Sequence, residues 1–147
     1  MPKDNTRASG TLTVTLTKPD GAKNIQVIRN LIVDTGTSYI ASRMNSTTQG
    51  VLSHMALGTG TTAAAAGDTT LETETARQAF DTLSVTANVL TYTATFAAGT
   101  ATGAITEAGL FNDPSAGTML CRTVFPVINK GVDDSLAIDW DVTISAS

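Results

Sequence analysis

The sequence predicts an all-β protein, a jelly-roll-like β-sandwich of about eight strands with one short helix near residues 37–44. Three observations predict this fold. The 147 residues include 27 threonines, whose branched Cβ packs well on a pleated sheet and suits a helix poorly. Apolar and polar residues alternate along several segments, as they do in half-buried strands. Gly, Pro, Asn or Asp closes those segments at spacings typical of sandwiches and jelly rolls.

The clearest alternation is in the last segment, residues 136–144, which places Trp140 and four aliphatic side chains on one face. Residues 89–96 repeat the pattern with threonines on the outward face. Residues 11–17 do the same, and the Pro-Asp-Gly turn that follows predicts a hairpin with a second strand over residues 23–33. Two adjacent apolar residues in that second strand indicate a bulge near Ile28.

The period changes to that of a helix between residues 37 and 44, and Asp34, Thr35 or Thr37 is expected to cap its start. We interpret this helix as closing one end of the sandwich.

The middle of the chain is less periodic than its ends. Residues 54–57 predict a short strand and residues 58–70 a long loop of small residues. Residues 71–79 mix helix-favouring Glu, Ala and Arg with several threonines, and we interpret them as extended. A further strand over residues 80–85 is expected to lead into a turn at residues 86–88.

Length and composition predict one domain and limit its partners. Residues 10–147 are expected to form a single sandwich domain, and residues 1–9 a polar N-terminal arm held by a neighbouring subunit. The net charge is −4 and the nine Lys and Arg are scattered, which argues against nucleic acid as a partner. No apolar run approaches the roughly 18 residues that span a bilayer. No secretory signal is evident, so synthesis in a cytoplasm is expected.

Residues suited to metal or nucleophilic chemistry are sparse. His54 is the only histidine and Cys121 the only cysteine, so the usual zinc sites are excluded and no cofactor or metal is expected. We interpret Cys121 as a small buried hydrophobe in a strand. The acidic residues at 133–134 and 139–141 are interpreted as solvated side chains that discourage strand pairing at sheet edges.

One tripeptide, Asp34-Thr35-Gly36, is similar to the active-site loop of aspartic proteases. That chemistry needs two carboxylates that share a proton. The chain has a single copy, so a protease would have to be a homodimer. Capping of the helix explains the tripeptide more simply. A homodimeric aspartic protease is therefore a remote alternative, and the expectation is that the protein is not an enzyme.

Four strings of the chain resemble segments of small virion proteins from tailed bacteriophages. They are GAITEAGLFN, GTMLCRTVFPVINKG, NLIVDTGTSYIASRM and MALGTGTTAAAAGDTTLETETAR, and together with the alternating last strand the resemblance covers roughly residues 30–145. It implies a structural protein of the virion. The favoured form is a capsid cement or decoration protein on the capsid exterior that binds and stabilises the major capsid shell. The alternative is a subunit of a tail fibre or baseplate.

The expected partners are the major capsid protein and further copies of the chain, as a dimer or trimer, with neither nucleic acid nor membrane involved. Arg7 and Ala8 in the arm are candidate contact residues. Phe125 and Ile128 are two more, because they flank Pro126. Proline lacks a backbone N–H, so its strand is expected at a sheet edge that is free for intermolecular contact.

Overall fold

The computed structural model describes residues 5–45 and 49–146, and over those residues it contains ten β-strands and one α-helix. The elements are β1 (Thr6–Thr17), β2 (Lys23–Arg29), β3 (Leu31–Ile32), α1 (Asp34–Asn45), β4 (His54–Gly58), β5 (Glu74–Ala79), β6 (Thr82–Thr86), β7 (Val89–Phe96), β8 (Gly103–Phe111), β9 (Met119–Lys130) and β10 (Ser135–Ala146).

The strands form two antiparallel sheets of five. Sheet 1 has the order β2-β1-β10-β7-β6, and sheet 2 has the order β3-β9-β8-β4-β5. The predicted all-β, sandwich-like class is therefore confirmed. Ten strands exceed the expected eight in part because the segment 23–33 is divided between the two sheets.

The strands β1 and β10 form the centre of sheet 1 and pair along their full length, from Thr6 opposite Ala146 to Thr17 opposite Ser135. The alternation predicted for residues 136–144 is confirmed, since every second side chain up to Val142 is buried between the sheets. The predicted segments at 54–57, 80–85 and 89–96 correspond to β4, β6 and β7. The extended segment expected over residues 71–79 contains β5.

The prediction of one bulged strand over residues 23–33 is wrong. The register between β1 and β2 is regular through Ile28, and the chain instead passes from sheet 1 to sheet 2 at Asn30. Two bonds hold this crossing: the Asn30 backbone N–H donates to Gly10 O at 3.1 Å, and Trp140 Nε1 donates to Asn30 Oδ1 at 2.9 Å. A Cβ on Gly10 would lie 1.8 Å from Asn30 Oδ1, so the crossing requires a glycine there.

The centre of sheet 2 is buried on both faces. Its inner face packs on sheet 1 in the main core, to which Met55 and Leu57 of β4 belong. Ala56, between them, faces the other way and joins a second cluster with Leu71 and Phe111. Residues 59–73, here called the cover segment, contain no strand and supply Leu71 to that second cluster. The cover segment therefore forms a third layer over sheet 2, and β8 is buried from Ile105 onward.

Helix α1 begins three residues earlier than expected. The Thr37 N–H donates to Val33 O at 3.0 Å, which places the first helical turn at Val33. The Thr35 and Thr37 hydroxyls donate to Met119 O and Asp34 O, so neither acts as the expected cap. The helix closes one end of the sandwich as predicted, since Tyr39 is buried in the main core.

The separate N-terminal arm expected over residues 1–9 is not what the described residues show. Residues 1–4 lie outside the described part of the chain, and residues 6–9 belong to β1. They pair with the end of β10, with Ala8 opposite Ile144. The alternation of β1 simply begins earlier than residue 11.

Candidate functional site

The residues singled out for catalysis do not come together in a reaction site. Asp34 is the exposed first residue of α1, and its backbone N–H donates to Ala66 O at 2.8 Å in the cover segment. The His54 Nδ1 lies 2.7 Å from the Ser53 Oγ. Cys121 is fully buried, and that burial raises the pKa of its thiol. Over residues 5–45 and 49–146, no group of three or more His, Cys, Asp or Glu is placed to hold a metal ion.

A buried ion pair lies instead between sheet 2 and the cover segment. Arg122 of β9 donates from Nε and Nη2 to Glu107 Oε2 of β8, at 3.0 and 2.9 Å. The two residues are 2% and 0% exposed. The other carboxylate oxygen, Glu107 Oε1, accepts from the backbone N–H of Gly60 at 3.0 Å and of Thr73 at 2.7 Å. One carboxylate therefore holds both ends of the cover segment.

Arg122 extends the network to the middle of the cover segment. Its Nη1 donates to Asp68 Oδ2 at 2.8 Å, and its Nη2 donates to Thr62 O at 3.0 Å. The pKa of the Asp68 carboxyl is lowered, first by the hydrogen bond from the Ala65 N–H and then by Arg122. The guanidinium and the two carboxylates have complementary partners throughout, which indicates a structural network that fixes the cover segment in place.

A second charged cluster lies at the turn between β9 and β10. Asp134 Oδ2 accepts from Lys18 Nζ at 2.8 Å and from the Gly131 N–H at 2.8 Å. Lys130, only 2% exposed, donates from Nζ to Ala97 O and to Asp134 O. The pKa of the Asp134 carboxyl is lowered, chiefly by Lys18, and burial lowers the pKa of Lys130. This cluster also serves structure, because it ties four segments together at one end of the sandwich.

An apolar groove of about 450 Å³ lies between α1 and the inner face of sheet 1. Sheet 2 does not cover sheet 1 here, so aliphatic side chains remain in contact with solvent. Among the described residues that line it, Arg43 alone is charged. The lining residues are Tyr39, Ile40, Arg43, Met44, Val51, Leu52, Leu83, Val85, Leu90, Tyr92, Leu120, Val142 and Ile144.

Strand β6 forms one wall of the groove and the outer edge of sheet 1. All five of its residues are exposed, including Leu83 at 48% and Val85 at 65%. Large exposed apolar patches commonly mark sites of protein interaction. The groove and this edge are therefore the part of the described surface best suited to another macromolecule.

Two of the four expected contact residues lie on a free strand edge. Arg7 is exposed and Ala8 half-buried in β1, beyond the point where β2 ends opposite Thr11. Residues 6–9 pair with β10 on one side, and no described strand pairs with them on the other. Local patterns did not indicate this pairing, but sequence reasoning did direct attention to residues that lie at an open edge.

The other two expected contact residues have buried side chains. Phe125 and Ile128 are 4% and 3% exposed and pack in the main core, so neither presents its side chain to a partner. The register between β8 and β9 shifts here, and residues 125–127 together oppose Thr106. This bulge turns Pro126 and Val127 outward and keeps Phe125 and Ile128 inward.

Sequence reasoning also missed the pair Glu107–Arg122. The signal was present, since a single charged residue lies within each of two largely apolar strand segments, 103–111 and 119–128. Over the described residues, no helix has the length and apolar character needed to cross a membrane. Comparisons of the chain with protein-family models, curated proteins and solved structures found no match.

Proposed function

We propose that this chain is a structural protein of a bacteriophage virion, a capsid cement or decoration protein on the capsid exterior. It binds the major capsid protein and stabilises the assembled shell without making or breaking a covalent bond. The resemblance of its segments to small virion proteins of tailed phages supports the proposal. So does an architecture whose charged networks fix layers in place and whose open features are a groove and strand edges.

The observation that carries the proposal is the extension of β1 past β2. Residues 6–9 expose a strand edge on the side opposite β10, as far as the described chain shows. A free edge presents backbone N–H and C=O groups to which a further strand can be added. The capsid protein would supply that strand, and the exposed Arg7 would select an acidic neighbour on it.

Stabilisation of the shell follows from mass action. A protein that binds only the assembled, expanded shell shifts the equilibrium away from its dissociated subunits. Each strand-edge contact is small, but a shell presents many equivalent sites. Subunits that hold more than one site at once gain further affinity from their high effective concentration.

The direct test mixes the purified protein with expanded heads that lack decoration. We expect saturable binding to the heads and survival of those heads to a higher temperature. Arg7→Glu should weaken binding, because it reverses the charge at the proposed contact. Lys23→Glu is the matched control, since Lys23 lies at the opposite end of β1, beside Thr17, and is also exposed. It should bind like the parent.

Absence of binding to expanded heads, or equal binding by the Arg7→Glu variant, contradicts the proposal. Antibody labelling of intact particles gives the remaining outcome. Label over the head supports a decoration protein, whereas label confined to the tail, together with a trimer in solution, replaces it with a tail-fibre or baseplate subunit.

A further inference from the structure

Strand β6 is a sheet edge that lacks the usual protection against pairing. It covers Thr82–Thr86, pairs only with β7 within the described chain, and is exposed along its whole length. Its five residues include no charge, no proline and no glycine. Natural edge strands are usually shielded by charged side chains, prolines or bulges, since an unprotected edge pairs with another chain.

Strand β2, the opposite edge of sheet 1, is protected against pairing by charged residues. Strand β2 also exposes two apolar side chains, Ile25 and Val27. A second copy of β2, paired antiparallel about Gln26, would place Lys23 directly opposite Arg29. Like charges in that position destabilise a pair of strands. The charges of β2 therefore oppose association of two copies through this edge.

The remaining open edges carry protection of their own. Strand β5, at the edge of sheet 2, has Glu74 and Arg77. The part of β9 beyond its two-residue pairing with β3 contains Pro126 and a bulge. The extension of β1 carries Arg7, a charge that disfavours pairing with an uncharged edge and leaves this edge to an acidic partner. The edge strand β3 also lacks a charge and exposes Leu31, but it has only two residues. Among the longer edge strands in the described chain, β6 alone combines exposed aliphatic side chains with the absence of charge.

We propose that β6 is a self-association surface, at which two copies of this chain pair antiparallel about a two-fold axis through Ser84. This register places Ser84 opposite the same residue of the second copy and Leu83 opposite the partner's Val85. A two-fold interface requires a surface that complements itself, and the sequence Thr-Leu-Ser-Val-Thr does so about its central residue.

This pairing accounts for both the free strand edge and the exposed aliphatic side chains of β6. It supplies hydrogen-bond partners to the free edge, and it covers Leu83 and Val85 with apolar side chains of the second copy. The two copies of sheet 1 then form one continuous sheet with both grooves on the same face, joined across the axis. This inference does not depend on the virion proposal, because it concerns the protein alone in solution.

Disulfide trapping tests the register. Ser84→Cys should form an intermolecular disulfide under mild oxidation, since residues directly opposite in antiparallel strands have Cα atoms about 4.5–5.5 Å apart, within the range of a disulfide. Thr86→Cys is the matched control on the same strand. Its two copies would lie about 13 Å apart along the strands, too far for a disulfide. The native Cys121 is buried and should not contribute.

Charge reversal tests the energetics in the absence of a covalent bond. Ser84→Lys and Ser84→Glu should each weaken the dimer, by roughly tenfold in dissociation constant, because each places like charges face to face. An equimolar mixture of the two variants should restore a heterodimer. Sedimentation velocity over a range of protein concentrations measures all three, and circular dichroism checks that each variant is folded.

Cross-linking at Ser84→Cys but not at Thr86→Cys, with rescue in the mixture, supports the proposal. A parent protein that stays monomeric at the highest concentration overturns it, as does equal cross-linking at both positions. Failure of the mixture to restore association also overturns it. Binding to phage heads is absent from every readout, so this inference can fail while the proposed function stands, and the reverse.

Discussion

The guanidinium of Arg122 and the carboxylate of Glu107 lie 2.9 Å apart in the layer between sheet 2 and the cover segment, where almost no solvent reaches either side chain. Glu107 also accepts hydrogen bonds from Gly60 and Thr73, near the two ends of the cover segment. A segment without strands has no ladder to fix its position. The ion pair and its hydrogen bonds to the backbone fix the position of the cover segment instead. The cover segment in turn buries the outer face of β8.

The first prediction concerns that pair. Glu107→Gln should lower the free energy of unfolding by about 3 kcal/mol, at the low end of the loss for a broken buried pair, because Arg122 keeps only the partly exposed Asp68 as a counter-charge. Denaturation by urea, followed by circular dichroism, measures the change. Glu74→Gln is the control: it breaks a more exposed ion pair with Arg77, which typically contributes about 1 kcal/mol or less. Equal losses in the two variants would contradict the structural role assigned to Glu107.

Stability should also depend on acid through Asp68 and Asp134. The folded state lowers the pKa of both carboxyls below their ordinary 3.8, so the stability they contribute is present at neutral pH. It is lost as the pH falls below 3.8 and through the lowered values, because protonation breaks the contacts with Arg122 and Lys18. The melting temperature should therefore be nearly constant from pH 5 to 7 and fall below about pH 4.

A variant isolates the share of this effect that belongs to Asp134. Asp134→Asn should melt at a lower temperature than the parent at neutral pH and lose less of its stability on acidification. Asp133→Asn removes the exposed neighbouring carboxylate and leaves the Lys18 contact in place, so its melting curve should follow that of the parent. An Asp134→Asn profile parallel to the parent at all pH values would exclude this carboxyl as a source of the acid sensitivity.

Gly36 gives the Asp-Thr-Gly tripeptide an explanation that needs no catalysis. A Cβ at this position would lie 2.0 Å from the backbone oxygen of Leu120, so only glycine lets α1 approach β9 this closely. Gly36→Ala should destabilise the protein by about 1–3 kcal/mol through overpacking. Gly67→Ala is the control, since no atom lies within 4 Å of its added Cβ, and it should be nearly neutral.

A peptide-cleavage assay tests the protease alternative. A catalytic reading of the tripeptide predicts cleavage of unfolded peptide at acidic pH, abolished by Asp34→Asn. The structure places Asp34 exposed at the start of a helix, and we expect no cleavage by the parent protein. Cleavage by the parent that is lost in Asp34→Asn would restore the protease hypothesis.

Periodicity predicted the strands whose environment differs between their two faces. In β10 the side chains of Ile138 and Trp140 are buried while Asp139 and Asp141 face solvent, and the alternation is visible in the sequence. It was less informative for β8, which is buried on both faces because the cover segment lies over it. The pattern of residues within β8 does not predict that the cover segment, which is distant in sequence, lies over this strand.

The point at which the chain crosses between the sheets also depends on contacts between residues that are distant in sequence. The segment 23–33 reads as one strand because Ile and Val recur along it from Ile25 to Val33. Its division at Asn30 depends on contacts with Gly10 and Trp140, which are 20 and 110 residues away in sequence. The groove could not be predicted from local patterns either. It brings together side chains from α1 and from three strands of sheet 1.

Pro126 provides the last prediction, because the bulge beside it decides which of the neighbouring side chains are exposed. Proline does mark a bulged, partly open edge in β9, but the bulge turns Phe125 inward and Val127 outward. Phe125→Ala should therefore destabilise the protein by about 3–5 kcal/mol, as truncation of a core aromatic does. Val127→Ala, at a side chain 51% exposed, should change stability by about 0.5 kcal/mol or less. If the ranking of the two variants in urea denaturation were reversed, Phe125 would be a surface residue and a candidate contact after all.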